Sequence, residues 1–257
     1  MIVNDKYKFI FVHIPKCGGT TFRNSIKKYD DTNGYFTGKI ESHHSYGTLN
    51  YVHLPLFMIQ KVFPKILDKI ISYDTIAILR NPFDRFTSSL AQHINRYREN
   101  DIHKLSNKRI LEIAYIVIEN IEKYKDNQLL PLEYIHFQRQ SNYVYLENKI
   151  LVNHLFKIKD IRNAFALLEN KIGNKLTNEN PVMNKTIVYR NSGVREMIKI
   201  FNNLGLKPLL KPLYNNTKYL FLGDKNKIND FILNDKKVNN FITSFYKEDF
   251  NLYKNLK

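Results

Sequence analysis

The stretch from Phe9 to Phe22, FIFVHIPKCGGTTF, leaves the chain little choice of local structure. An apolar run of strand length is broken by Pro15, passes through Lys16-Cys17-Gly18-Gly19-Thr20-Thr21, and resumes with Phe22, Ile26 and Tyr29 at helical spacing. Strand, tight loop and helix follow from that pattern. Gly18 and Gly19 let the backbone come close to a ligand, and the loop amides can converge with the unpaired N–H groups of the new helix on one anion. The predicted product is an anion cradle.

The place of the lysine narrows which anion. In the nucleoside-triphosphate loop the lysine follows the last glycine and a hydroxyl residue then holds Mg²⁺. Here Lys16 precedes the glycine pair and the leading glycine is missing. The stretch resembles instead the 5′-phosphosulfate loop, P-K-T/C-G-G/S-T/S-T/S, of carbohydrate sulfotransferases that use 3′-phosphoadenosine 5′-phosphosulfate (PAPS). A second segment resembles the same family. Tyr73 to Leu79 reads as a buried strand, and it ends at Arg80-Asn81-Pro82-Phe83-Asp84-Arg85-Phe86-Thr87-Ser88. Asn81 is a favourable N-cap, Pro82 suits the first helical position and Asp84 suits the positive first turn. Arg80 and Ser88 match the family's 3′-phosphate site, R-N/D-P-x-x-R-x-x-S. A guanidinium offers paired donors to a phosphate and a helix-borne hydroxyl adds one more. Ser88 falls on the side of the helix shared by Arg85 and Gln92, away from the apolar stripe of Phe83, Phe86, Leu90 and Ile94. Arg85 either touches the nucleotide or bridges to Asp84 or to the C-terminal segment.

Weaker likenesses extend over most of the chain. Gln138 to Tyr143 resembles the family's P-Q-S-D/N-Y/F stretch, and Pro181 to Thr186 its h-x-N-K/R-S/T element. Ile242 to Tyr253 resembles its terminal helix, with Phe245, Phe250 and Tyr253 expected to pack and Asp249 to cap or pair. Between these, Tyr29 to Asn50 reads as loop with one short strand, and Leu54 to Ile71 as two helices parted at Pro64. Ser106 to Lys125 reads as a helix with Ile110, Ile113, Ala114, Val117 and Ile121 inward. Val152 to Ile158 reads as a strand and Ile161 to Ile172 as a helix. The expected architecture is α/β, a mainly parallel central sheet flanked by helices, as in the P-loop-like sulfotransferase fold. The 257 residues, 43% of them hydrophobic, suit one such domain over 1–257.

The resemblance implies transfer of the sulfuryl group of PAPS to a hydroxyl, leaving 3′-phosphoadenosine 5′-phosphate (PAP). Lys16 would meet the bridging oxygen of the leaving phosphate, and Cys17, Gly18 and Gly19, with Thr20 and Thr21, would hold the 5′-phosphate and sulfonate. A glycan is the acceptor class implied by the motif spellings. The base is left open among His44, which with Ser45 resembles the H-A/S-S/T pattern of related bacterial enzymes, His43 and Glu41. His13 reads as a core histidine, and His53, His93, His103, His136 and His154 carry no pattern. No metal is called for: the second strand ends in arginine where an NTPase would place a Mg²⁺-binding aspartate, and adjacent histidines cannot share a helix face as ligands.

Charge and leader signals bound the rest. The formal charge of +16 suits an acidic glycan, but lysine outnumbers arginine thirty to ten and no aromatic-interleaved basic stripe points to nucleic acid. With no secretory signal, no run of about 18 apolar residues and a single cysteine, a cytoplasmic protein without a membrane span is expected. The sequons at Asn184 and Asn215 read as chance. Two rival functions remain in view: a nucleotide kinase or NTPase with a degenerate phosphate loop, and a non-enzymatic module that binds polyanions.

Overall fold

The computed structural model describes residues 1–98, 102, 105–176 and 225–256, the first five of the last segment by backbone alone. The 181–186 element, His103 and both sequons lie outside the described residues. In chain order, β1 (Ile2–Asn4) and β2 (Phe9–Val12) lead into α1 (Gly19–Ile26), α2 (Tyr35–Gly38) and a hairpin of β3 (Ile40–His43) and β4 (Gly47–Asn50). Then come α3 (Leu56–Val62), α4 (Pro64–Ser72), β5 (Asp74–Leu79), α5 (Pro82–His93) and α6 (Asn107–Ile121). A small hairpin of β6 (Tyr145–Leu146) and β7 (Lys149–Ile150) precedes β8 (His154–Lys157) and α7 (Ile161–Ile172). The described C-terminal part is α8 (Lys225–Asn234), α9 (Lys236–Phe245) and α10 (Lys247–Asn255).

The central sheet has the order β1-β2-β5-β8, parallel from β2 to β8 with β1 antiparallel at the edge. This is the expected α/β architecture. All four residues of β2 are buried, which is why its apolar side chains run without alternation. Phe22 of α1 sits 4.7 Å by ring centroid from Phe11 of β2 and 4.7 Å from Phe165 of α7, so it ties both helices to the sheet. Burying such a ring stabilises a fold by about 1.5–3 kcal/mol. A second apolar cluster joins Phe86 and Leu90 of α5 to the inward face of α6 and to Phe241 and Ile242 of α9. The five residues expected inward on α6 are all buried there.

Several elements form for visible local reasons. The Asn81 side chain accepts a hydrogen bond from Phe83 N at 3.0 Å and Pro82 opens α5. Ser106 caps α6 in the same way through Arg109 N, at 3.2 Å. Pro64 parts α3 from α4, as its missing N–H requires.

Two expectations need correction. The 29–50 region holds a short helix and two paired strands where one was expected; β3 and β4 are largely solvent-facing and so lack the apolar alternation that marks a strand in sequence. The terminal helix is two helices, α9 and α10, separated at Tyr246, whose φ and ψ are −102° and 25°. Tyr246, Asp249 and Leu252 are buried, whereas Phe245, Phe250 and Tyr253 are half-buried.

Candidate active site

Because β2 and β5 are parallel neighbours, with Val12 opposite Ala77, their C-terminal ends deliver Lys16 and Arg80 side by side. Open parallel sheets bind ligands at this end. The turn out of β2 is made by Lys16 at φ +63° and Gly18 at φ +77°. A non-glycine residue there costs about 1–2 kcal/mol, and its carbonyl is held from the second motif: Arg80 Nη1 donates to Lys16 O at 3.3 Å. The Lys16 ammonium donates to Gln92 Oε1 at 2.7 Å, one helical turn beyond Ser88 on α5. Lys16, Arg80 and the polar face of α5 thus converge. Thr20 and Ser88 are half-buried, Thr21 is buried, and the first turn of α1 carries no acidic residue that would repel an anion.

Gly19 has no room for a side chain. A Cβ there would stand 2.4 Å from His13 Cδ2 and 2.7 Å from His13 Nε2. Gly19→Ala is therefore expected to push the imidazole and the loop apart and to cost about 1–3 kcal/mol in a thermal melt. Adding His13→Ala should return much of the loss; equal losses in the single and double variants would contradict the clash.

Gln140, quoted above only as part of a motif, proves to be a brace. Its side chain amide accepts from Arg80 N and donates to Arg80 O, both at 2.9 Å, and its Oε1 also accepts from Cys17 Sγ at 3.1 Å. A primary amide here copies a neighbouring strand and locks the end of β5 to the loop. Cys17 is buried, and burial pushes its thiol up to about 12, so the sulfur acts as a donor and not as a nucleophile.

The hairpin histidines and a second set of histidines occupy different surroundings. His43 and His44 stack at 4.6 Å, His43 lies 4.9 Å from Tyr46, and His43 Nδ1 accepts from Ser45 N at 3.2 Å. Glu41 Oε2 accepts from Tyr51 at 2.7 Å and pairs with Lys39 at 2.9 Å. His13, His53 and His136, by contrast, form a row with ring centroids 4.9 and 5.2 Å apart. Burial lowers all three pKa values, His136 to about 3; the next cause is His53 for His13, His136 for His53 and Lys16 for His136. The row starts against Gly19 and runs to the neighbourhood of the Lys16 ammonium. Its members come from three distant segments, so no spacing in the sequence could join them; the available signal was that His13 stands three residues before Lys16 and His136 four before Gln140.

Arg85 does not take the nucleotide role left open for it. It is 1% exposed and pairs with Asp249 at 3.6 Å, the C-terminal alternative. Among the described residues, no group of three or more His, Cys, Asp or Glu side chains is arranged to hold a metal ion, and no helix is long and apolar enough to cross a membrane.

A model of the sulfotransferase family matches residues 1–254 of this chain. No curated protein and no solved structure matches it.

Proposed function

The chain belongs to the sulfotransferase family, and from that premise we propose that it transfers the sulfuryl group of PAPS to a hydroxyl of a glycan without a metal. The observation that carries the donor assignment is the meeting of two anion-binding elements: Arg80 bonded to the carbonyl of Lys16, and Lys16 bonded to α5 one turn beyond Ser88. The donors and cations gathered there fit a nucleotide with two separate phosphates. Cys17, Gly18, Gly19, Thr20 and Thr21 would hold its 5′ side and Arg80 with Ser88 its 3′-phosphate. Bound there, PAPS supplies the activated sulfuryl group.

The chain's own residues do the rest by positioning and charge. Lys16, turning from Gln92 Oε1, neutralises charge on the leaving phosphate. Lys16→Ala should lower kcat by about 10²–10³, read in a sulfation assay, while the PAP-induced thermal shift persists. A loss below tenfold would remove Lys16 from the role.

A histidine takes the acceptor's hydroxyl proton. His44 and His43 carry that role on the sequence resemblance, and the row ending in His136 carries it on position. The row is favoured on position alone, because His136 ends it in the neighbourhood of the Lys16 ammonium; burial first, and that charge second, lower its pKa, which makes it a weak base. Burial keeps its imidazole neutral near pH 7. His53→Gln and His136→Gln should lower kcat by about 10²–10⁴ at neutral pH while PAP binding remains, and His44→Gln should not. The reverse result restores the hairpin pair.

The donor itself is tested by thermal shift with PAP, AMP and ATP–Mg²⁺ on wild type and Arg80→Ala. Saturation near 100 Kd stabilises by about 2.7 kcal/mol. A shift confined to PAP and lost in Arg80→Ala is expected; a larger shift with ATP–Mg²⁺ would overturn the donor in favour of a kinase or NTPase. The lysine-rich surface supports an acidic glycan as acceptor.

A further inference from the structure

Beside the Gln140 brace lies an open cleft of about 860 Å³, lined by α3, the 126–127 loop, the β6–β7 hairpin and the junction of α9 and α10. That is the size of a site for a small molecule of several rings. None of Lys16, Arg80, Ser88, His53 or His136 lines it. We propose that this cavity is a second, separate binding site, for an uncharged stretch of saccharide; the choice of ligand rests on the glycan reading of the reaction.

The lining chemistry points to a sugar. Phe57 and Tyr145 supply aromatic rings, onto which the C–H side of a pyranose packs, while Phe245 is covered by Arg139. Gln60, Asn127 and Asn148 supply amides, a group that both donates to and accepts from hydroxyls. Three basic side chains, Lys61, Arg139 and Lys247, are matched by Asp126, Glu147 and Glu248. The charges cancel, so a polyanion gains nothing here, in contrast to the phosphate loop.

The wall is also fixed in advance. The Arg139 guanidinium lies 3.7 Å over the Phe245 ring, Nε donates to Phe245 O at 2.8 Å, and Nη2 pairs with Asp126 at 2.8 Å. Asn142 Oδ1 accepts from Gln138 at 2.7 Å. Walls held this way reduce the ordering cost of binding. Arg139 and Ser141 line the cavity while Gln140 between them clasps Arg80, so a saccharide here sits one residue away from the nucleotide brace.

The test uses the full chain with chitotriose, the uncharged trimer of N-acetylglucosamine, in saturation-transfer NMR followed by titration, beside PAP thermal shift on the same samples. Transfer to chitotriose is expected, with affinity about tenfold weaker in Tyr145→Ala and reduced in Gln60→Ala, whose exposed site cannot disturb the core. A heparin-derived tetrasaccharide should not displace it. Absence of transfer, insensitivity to both substitutions, or displacement by the acidic tetrasaccharide would overturn the site. If PAP still shifts the melt in that case, only the cavity assignment falls; if chitotriose binds and PAP does not, the cavity stands and the donor reading falls.

Discussion

Asp249→Ala is expected to destabilise the fold by about 3–5 kcal/mol, the cost of leaving a buried charge without its partner. The carboxylate is fully buried and serves three groups at once: Oδ2 accepts from Gln140 N at 2.8 Å, Oδ1 from Ser141 N at 2.9 Å, and Oδ2 lies 3.6 Å from Arg85 Nη2. Arg85 is otherwise thinly provided for. Nη1 donates to His136 O at 3.0 Å, the guanidinium rests 5.0 Å from the Tyr246 ring centroid, and Nε and Nη2 make no hydrogen bond. Without Asp249 a buried cation and two buried amides lose their counterpart together. At about 2–4 °C per kcal/mol for a chain of this size, Tm should fall by about 6–20 °C. Replacing the pair by Arg85→Leu with Asp249→Leu should recover only the part of that loss due to the unpaired guanidinium, because Gln140 N and Ser141 N still lose their acceptor. A single-variant loss below about 1 kcal/mol would show that the pair and its capping bonds do not hold the C-terminal helices. The function should feel the change through Gln140: once its backbone is no longer anchored, its clasp on Arg80 loosens and the PAP-induced shift should shrink.

That pair marks the boundary of what the sequence discloses. Elements set by neighbouring residues were readable: the apolar run of β2, the Asn81-Pro82 start of α5, the break at Pro64 and the inward face of α6 each follow from residues a few positions apart. Contacts between distant segments were readable only as alternatives. Arg85 could have met a nucleotide, Asp84 or the C-terminal segment, because a guanidinium suits all three and only packing chooses among them. The exposed β3–β4 hairpin escaped because solvent on its faces removes the alternation that betrays a strand. The position of Lys16 against the glycine pair pointed to the family without any geometry, since that order of residues sets where the charge stands relative to the cradle. Gln140 and the histidine row were invisible as a site for a different reason. Their roles exist only once β2, β5 and the 135–143 segment are brought side by side, and a histidine in an apolar strand looks the same whether it fills a core or borders a reaction.

The same row makes the molecule acid-sensitive above the range where carboxylates titrate. His13, His53 and His136 have folded pKa values below their unfolded value near 6.5, burial being the largest cause in each. The folded state therefore binds fewer protons than the unfolded chain in this range, and stability rises with pH. The contribution is fully present above about pH 6.5 and is lost as the pH falls from there toward the folded value, about 3 for His136. Each such group adds a slope of up to about 1.4 kcal/mol per pH unit, so His136 alone should remove about 2 kcal/mol between pH 6.5 and pH 5. His13 and His53 add losses of the same sign, and His93, lowered by burial as well, adds a further one. Asp5, Asp74 and Asp235, whose pKa values are lowered, give up their stabilisation only below about pH 4. Urea melts of the nucleotide-free protein at half-unit steps from pH 7 to pH 4.5 should thus show stability falling throughout a window that the imidazoles share with the Met1 amino group, whose pKa burial lowers to about 5. In His13→Gln and His136→Gln the slope should flatten while stability at pH 7 changes less. A slope unchanged by both substitutions would mean that these two rings protonate in the folded state as in the unfolded chain, the remaining slope coming from Met1, His53 and His93, and the neutral base proposed beside Lys16 would go with it.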